Sequence, residues 1–293
     1  MTTTATKSRL AQALASGRLA VTAECLPPRG SDAGAVKTLA SLLPANLDAV
    51  VVADNPGELH GSPLACAAML AGGGRPSMLS MVTRDRNRMA LESDAQGAAA
   101  LGVEAIFCLS GDHQSLGACP QAAGVYDIDS IQFTQVLKRL MREGPLPELP
   151  IGAAAHPYQR PLELNLLRLR KKVAAGADFL LTQAVFDLAG FTQWMDAVRA
   201  AGLDRQVAII ASVLPLTSVE QARVLGRRRT YGPVPESVIA RLSGASDPAR
   251  EGIAIAVEMA GRLKAIPGVR GIHILSGGCE SAAATVIGEA GLA

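Results

Sequence analysis

The chain has 293 residues, of which 49% are hydrophobic and 18% charged, enough apolar material for a large core and too much for wholesale disorder. A formal net charge of +2 creates no field that would draw it to nucleic acid or to a membrane surface. The nine aromatic residues (Phe107, Tyr126, Phe133, Tyr158, Phe179, Phe186, Phe191, Trp194 and Tyr231) are too few for base-stacking platforms, so the core must come from Ala, Leu, Val and Ile.

Residues 1–17 read as an N-terminal helical extension, with an amphipathic helix from about Lys7 to Ala15. The absence of acids from residues 1–23 also suits a targeting peptide, and the helix is the preferred reading. Short apolar runs then alternate with helical stretches to the end of the chain. Strands are expected at Leu19–Leu26, Asp48–Ala53, Ser77–Val82, Ala105–Leu109, Ile151–Ala155, Phe179–Val185, Val207–Val213 and Gly271–Leu275. Their near-continuous Val, Ile, Leu and Ala content is that of parallel strands buried on both faces. Helical spacing covers roughly 33–43, 63–72, 87–101, 128–143, 161–175, 188–201, 218–228 and 235–265. Gly102, Gly144, Gly176 and Gly202 follow helices where a left-handed cap is wanted. Eight such units predict a single-domain (β/α)8 TIM barrel over residues 1–293, with extra helices before the last strand. The competing open doubly wound sheet lacks a dinucleotide fingerprint, because Gly72-Gly73-Gly74 follows a helix rather than a strand.

The five cysteines (Cys25, Cys66, Cys108, Cys119 and Cys279) stand singly, forming neither a disulfide framework nor a zinc motif, which suits a reducing compartment. The longest apolar stretches, such as Val207–Leu216, reach about half of a membrane span. A cytoplasmic location is therefore expected.

A barrel carries its chemistry at the carboxyl ends of its strands. Those exits read Glu24-Cys25-Leu26-Pro27-Pro28-Arg29, Asp54-Asn55-Pro56, Thr83-Arg84-Asp85-Arg86-Asn87, Ser110-Gly111-Asp112-His113, His156-Pro157, Gln183 with Phe186-Asp187, Leu214-Pro215 and Ser276-Gly277-Gly278-Cys279-Glu280. Glu24 sits inside an apolar strand, where desolvation raises its pKa and suits a general acid; the plainer alternative is an ion pair with Arg84 or Arg86. Asp112 follows Ser110-Gly111, where a bare backbone admits a flat ligand and the carboxylate accepts its N–H groups; otherwise it is a loop brace. Gln183 offers both a donor and an acceptor to a heterocycle edge, or is a satisfied core amide. His60, His113, His156 and His273 lack metal-ligand spacing, and no metal site is expected. Asp112-His113-Gln114-Ser115-Leu116-Gly117 resembles a corrinoid loop with its histidine one place early. Lys7, Lys37, Lys138, Lys171, Lys172 and Lys264 all fall on predicted helices, against Schiff-base chemistry, and no G-x-S-x-G elbow is present. The cluster Arg168-Leu169-Arg170-Lys171-Lys172 is either a solvated helix face or a grip on a cofactor phosphate. Arg227-Arg228-Arg229 reads as a helix end whose cations suit the macrodipole.

Five segments in order resemble the methylenetetrahydrofolate reductases: Ala23-Glu24-Cys25-Leu26-Pro27-Pro28-Arg29, Leu109-Ser110-Gly111-Asp112, Leu169 to Gly176, Thr182-Gln183-Ala184-Val185-Phe186-Asp187, and Leu214 to Ala222. The similarity extends from about residue 20 to about residue 290. It implies a flavin-containing barrel, holding FAD or else FMN, that reduces 5,10-methylenetetrahydrofolate to 5-methyltetrahydrofolate in one-carbon metabolism and methionine biosynthesis. It further implies Glu24 as general acid, Asp112 as a catalytic group near flavin and pterin, and Gln183 as a folate ligand. Ser110, Gly111, His156, Arg168, Lys171 and Lys172 would then line the flavin site. Ser80 and Val82 stand where NADH-using members have histidine and threonine. Ser110 replaces an arginine, His156 a tyrosine, Arg168 an asparagine and Val219 an aromatic residue, which marks a divergent branch. The electron donor is accordingly expected to be NADH or a partner protein, and the chain a homo- or hetero-oligomer. Two alternatives stay open, a flavin-free folate-binding accessory subunit and a tetrahydrofolate-dependent methyl-transfer enzyme.

Overall fold

The computed structural model describes residues 8–227 and 232–292. Eight strands close into an all-parallel barrel in sequence order. They are β1 (Ala20–Cys25), β2 (Ala49–Val52), β3 (Ser77–Val82), β4 (Ala105–Leu109), β5 (Ile151–Ala155), β6 (Phe179–Ala184), β7 (Ala208–Val213) and β8 (Val269–Ile274). The helices are α1 (Arg9–Ser16), α2 (Ala33–Leu42), α3 (Pro63–Gly72), α4 (Arg88–Ala100), α5 (Ser130–Glu143), α6 (Leu162–Ala174), α7 (Leu188–Ala200), α8 (Val219–Arg227), α9 (Glu236–Gly244), α10 (Pro248–Leu263) and α11 (Glu280–Glu289). A short 3-10 turn covers Gln114–Leu116. None of these helices is long and apolar enough to cross a membrane.

Alternation along each strand sorts the side chains into two cores. Outward residues such as Val50, Val52, Leu79, Met81, Ile106 and Leu180 meet the helices in the larger one. Inward residues Ala20, Val51, Met78, Phe107, Ala154, Phe179, Leu181 and Ile210 fill the barrel. Leu10 and Ala13 of α1 join this inner core, so the N-terminal helix plugs the barrel's amino end. Full burial of Leu10 there contributes roughly 1.5–3 kcal/mol. The inner packing depends on one glycine. A Cβ on Gly152 would lie 2.3 Å from Phe179 Cε2 and Cζ and 3.0 Å from Phe107 Cδ2, so the absent side chain makes room for two rings.

The eight expected strands are all present, with ends shifted by one or two residues. Three expectations are corrected. The stretch 235–265 is two helices, because Gly244 ends α9 and Asp247 caps α10 with Pro248 in its first turn. α11 was not expected at all; its Ser-Ala-Ala-Ala run lacks a strong apolar stripe. β8 starts at Val269 rather than Gly271. Helix α1 begins at Arg9 with Ser8 as its cap, while Lys7, Arg228 and Arg229 lie outside the described residues.

Candidate active site

A cavity of about 520 Å³ opens at the carboxyl ends of the strands. Glu24, Ser110, Gly111, Asp112, His156, Arg168, Lys172 and Gln183 all line it, so residues scattered through the sequence converge on one cup. Its floor is made by inward side chains one layer down, among them Val51, Ser80, Phe107, Ala154, Leu181 and His273. A second lobe of about 590 Å³ shares His156, Gln159, Arg168 and Gln183 with the first.

Glu24 ends the inward row of β1. Its Oε2 accepts hydrogen bonds from the Ser276 amide (3.0 Å), the Ser276 hydroxyl (3.1 Å) and the Gly277 amide (3.3 Å). Oε1 has no donor among the described residues and remains available to a ligand. Burial raises the carboxyl's pKa, and the hydrogen bonds from Ser276 and Gly277 only partly oppose this. The pairing with Arg84 or Arg86 does not occur. Arg86 bonds Asp54 (2.8 Å), and Arg84 forms a bidentate pair with Asp85.

Asp112 is carried on the loop after β4. Its carbonyl accepts from Arg84 Nη1 (3.0 Å) and the Tyr126 hydroxyl (3.3 Å), which fixes the backbone and leaves the carboxylate exposed to the cup. Gly111 before it has φ +81°, and a Cβ there would meet Val82 Cγ1 at 2.5 Å. Only glycine fits this position. Ser110 does not present a free hydroxyl, because Oγ bonds Ser130 Oγ (3.1 Å) and accepts the Ser130 amide (3.2 Å) at the start of α5. Gln183 continues the inward row of Phe179 and Leu181, past a bulge where β6 shifts register against β7. Thr182 and Ser212 brace that bulge through Ser212 Oγ to the Thr182 carbonyl (2.6 Å) and the Ser212 amide to Thr182 Oγ1 (3.0 Å).

The cationic wall comes from α6. Asn165, Arg168, Leu169 and Lys172 all line the cavity, an i, i+3, i+4, i+7 set on one helix face. Lys171 lies roughly 110° round the helix from the centre of that face and is exposed outside the cavity, so the structure does not bring it to the expected flavin site. Lys172 reaches inward despite its helical position and donates from Nζ to the Ala154 carbonyl. Burial, together with the nearby Arg168 charge, lowers its pKa to about 8. Neither Arg168 nor Lys172 has an ion-pair partner among the described residues. Two unpaired cations beside the first turn of α5 (Ser130 and Ile131) form a donor set suited to a phosphate-bearing cofactor.

His156 is kept neutral. Burial and the adjacent Lys172 and Arg168 charges bring its pKa down to about 4. Its carbonyl accepts from Asn165 Nδ2 (2.6 Å), whose Oδ1 accepts the Trp194 indole N–H (2.9 Å). Asn165, the Ser276-Gly277 donors and Arg84's hold on Asp112 were not singled out in the sequence. For Asn165 the helix-face spacing was an available signal; the other two depend on contacts between distant exits. His273 is a barrel histidine bonded to Thr22 Oγ1 (2.9 Å), and burial lowers its pKa to about 4. No group of three or more His, Cys, Asp or Glu among the described residues is arranged to hold a metal.

Comparison with known proteins assigns the chain to a family. The family model for methylenetetrahydrofolate reductase matches residues 9–291. The 5,10-methylenetetrahydrofolate reductase of Pectobacterium carotovorum subsp. carotovorum is 27% identical over 214 residues, which are 70% of this chain and 67% of that protein. The Salmonella typhimurium protein of the same name is 26% identical over 216 residues, 71% of this chain and 68% of its own. Methylenetetrahydrofolate reductase 2 of Saccharomyces cerevisiae is 33% identical over 146 residues, 45% of this chain and 23% of its own. Among solved structures, a Clostridium thermocellum protein described as binding two copies of 5-methyl-5,6,7,8-tetrahydrofolic acid has the same fold. It superposes with a TM-score of 0.68 at 15% identity, covering 97% of this chain and all of that one.

Proposed function

This chain belongs to the methylenetetrahydrofolate reductase family, and from that membership we propose that it interconverts 5,10-methylenetetrahydrofolate and 5-methyltetrahydrofolate with a bound flavin. The observation behind this reading is the Glu24 carboxyl, raised in pKa by burial and set in one cup with Asp112 and Gln183.

Opening the five-membered ring of the methylene substrate requires a proton on the departing amine nitrogen. Glu24 retains its acid form to higher pH than an exposed glutamate and has Oε1 free to deliver that proton. In the reverse direction the same carboxylate takes the proton back. Gln183 supplies a donor and an acceptor to the pterin amide edge, and Asp112 accepts pterin N–H groups. His156 stays neutral and adds an uncharged plane beside the ring. Arg168 and Lys172 would hold the flavin phosphates, with Ser130 and Ile131 alongside. The bound flavin supplies hydride chemistry.

Glu24→Gln is the test. Turnover should fall by about 10²–10⁴, the usual worth of a positioned acid, while folate affinity stays within a few-fold. An unchanged rate would overturn the mechanism. Reduction of the protein-bound flavin by NADH in anaerobic solution distinguishes that donor from a partner protein.

A second reading, a flavin-free folate-binding protein, is favoured by the additional lobe of about 590 Å³. The clostridial protein of the same fold binds two copies of methyltetrahydrofolate. Colourless protein that binds methyltetrahydrofolate without redox activity would decide for this reading.

A further inference from the structure

Gln183 owes its place in the cup to an irregular stretch of β6. Pairing with β7 runs residue against residue as far as Leu181 and Ile210, and resumes with Ala184 against Ser212. Three steps along β6 thus match two along β7, and Thr182 and Gln183 form the bulge that takes up the extra residue. A bulge strips ladder groups of their partners, and buried backbone groups must find others. Two side chains beside the bulge supply them. Ser212 Oγ donates to the Thr182 carbonyl (2.6 Å), and the Ser212 amide donates to Thr182 Oγ1 (3.0 Å). Thr182 Oγ1 in turn donates to the Gln183 carbonyl (2.9 Å). The Ser212 carbonyl accepts the Val185 amide (2.8 Å), which closes the bulge on its far side.

Both members of this clasp are buried. Ser212 lines neither the cup nor the second lobe, so it can influence a ligand only through its neighbours. Gln183 lines both. Its side-chain amide has no hydrogen-bond partner among the described residues, so nothing at its tip fixes its direction. The backbone of the bulge does. Side chains alternate faces along a strand, and a slide of the bulge by one residue would turn Gln183 out of the cup.

We propose that Thr182 and Ser212 are positioning residues for Gln183: two buried hydroxyls that hold the bulge in register and so aim a free amide at the pterin edge. The inference rests on the folate reading of Gln183 and deepens it, because it locates substrate recognition partly in a residue that touches no substrate.

The experiment measures binding of 5-methyltetrahydrofolate to the full-length protein by calorimetry. Thr182→Val keeps the shape of the side chain and removes its hydroxyl, Ser212→Ala removes the other hydroxyl, and Thr182→Ser restores the first. Gln183→Ala should weaken binding about tenfold, and Thr182→Val or Ser212→Ala about three- to tenfold, whereas Thr182→Ser should recover affinity to within about twofold. In the Gln183→Ala chain, Thr182→Val and Ser212→Ala should each cost less than about twofold more, because the group they aim is gone. Losses that add in full in that background overturn the proposal, as does parent affinity in folded Thr182→Val and Ser212→Ala. If Gln183→Ala itself binds as the parent does, the folate reading of Gln183 fails. A crystal structure of Thr182→Val then decides the clasp on its own: Gln183 displaced from the cup supports it, and Gln183 unmoved overturns it.

Discussion

Replacing Lys172 by methionine should weaken binding of a flavin phosphate and remove most of its pH dependence. The lysine donates to the Ala154 carbonyl, and burial beside Arg168 has brought its pKa from 10.5 to about 8. A phosphate seated against Lys172 and Arg168 would favour the ammonium form and restore much of the ordinary value. The sign follows from linkage. The ligand prefers protonated Lys172, so affinity is greatest below pH 8 and declines as pH rises through that value. The full gap of about 2.5 units corresponds to roughly 300-fold in affinity, or about 3.4 kcal/mol. Solvent reaching the partly buried ammonium reduces this, and a loss of about 10- to 30-fold between pH 7 and 9.5 is expected. Titration of FAD or FMN by flavin fluorescence, with calorimetry in buffers of different ionisation enthalpy, reads affinity and proton uptake together. Lys172→Met should bind at least about tenfold more weakly at pH 7 and show a nearly flat profile. Parent affinity that stays level to pH 9.5, or a variant that binds as tightly, would refute the argument that this lysine faces the phosphate.

Three further outcomes follow from packing and burial. Gly152→Ala should destabilise by about 1–3 kcal/mol, because its Cβ would lie 2.3 Å from the Phe179 ring; denaturant midpoints should show it, and Phe179→Leu in the same chain should recover part. Asn165→Leu leaves the Trp194 indole N–H and the His156 carbonyl without their partner, at about 2–4 kcal/mol, measurable by unfolding followed through emission of the chain's single tryptophan. His273 titrates near 4 in the folded chain against about 6.5 when unfolded, so its contribution is complete above pH 6.5 and is lost as pH falls toward 4. The loss is of order 3 kcal/mol; His273→Gln should flatten that part of the stability profile, and an unchanged slope would exclude the assignment.

The barrel was readable because parallel strands buried on both faces must be continuously apolar, as Ala49–Val52 and Phe179–Ala184 are. Polar residues at the ends of such runs then stand out, which is why Glu24, Asp112 and Gln183 could be named and why they share a cup. The break before α10 was also written in the chain, as Gly244 followed by Asp247-Pro248, although helical spacing continues across it. α11 was harder to see, since its alanines differ little between its two faces. Within the basic stretch of α6, composition cannot distinguish Lys171 from Lys172. Only the phase of the helix against β5 does, and that phase is set by Asn165 and Leu169 packing inward.

The acid site divides at the same boundary. Glu24 announces itself because a carboxylate interrupts an apolar strand. Glu280 looks like an ordinary acid in the first turn of a helix, where the macrodipole alone would explain it. What distinguishes it is a hydrogen bond to Leu26, 254 residues away in sequence, and no local pattern encodes that contact. Barrel closure creates it by bringing the last helix beside the first strand. The residue that would donate the proton is thus legible from its own strand, whereas the acid that holds the Leu26 amide just beyond it is visible only once the two ends of the chain have met.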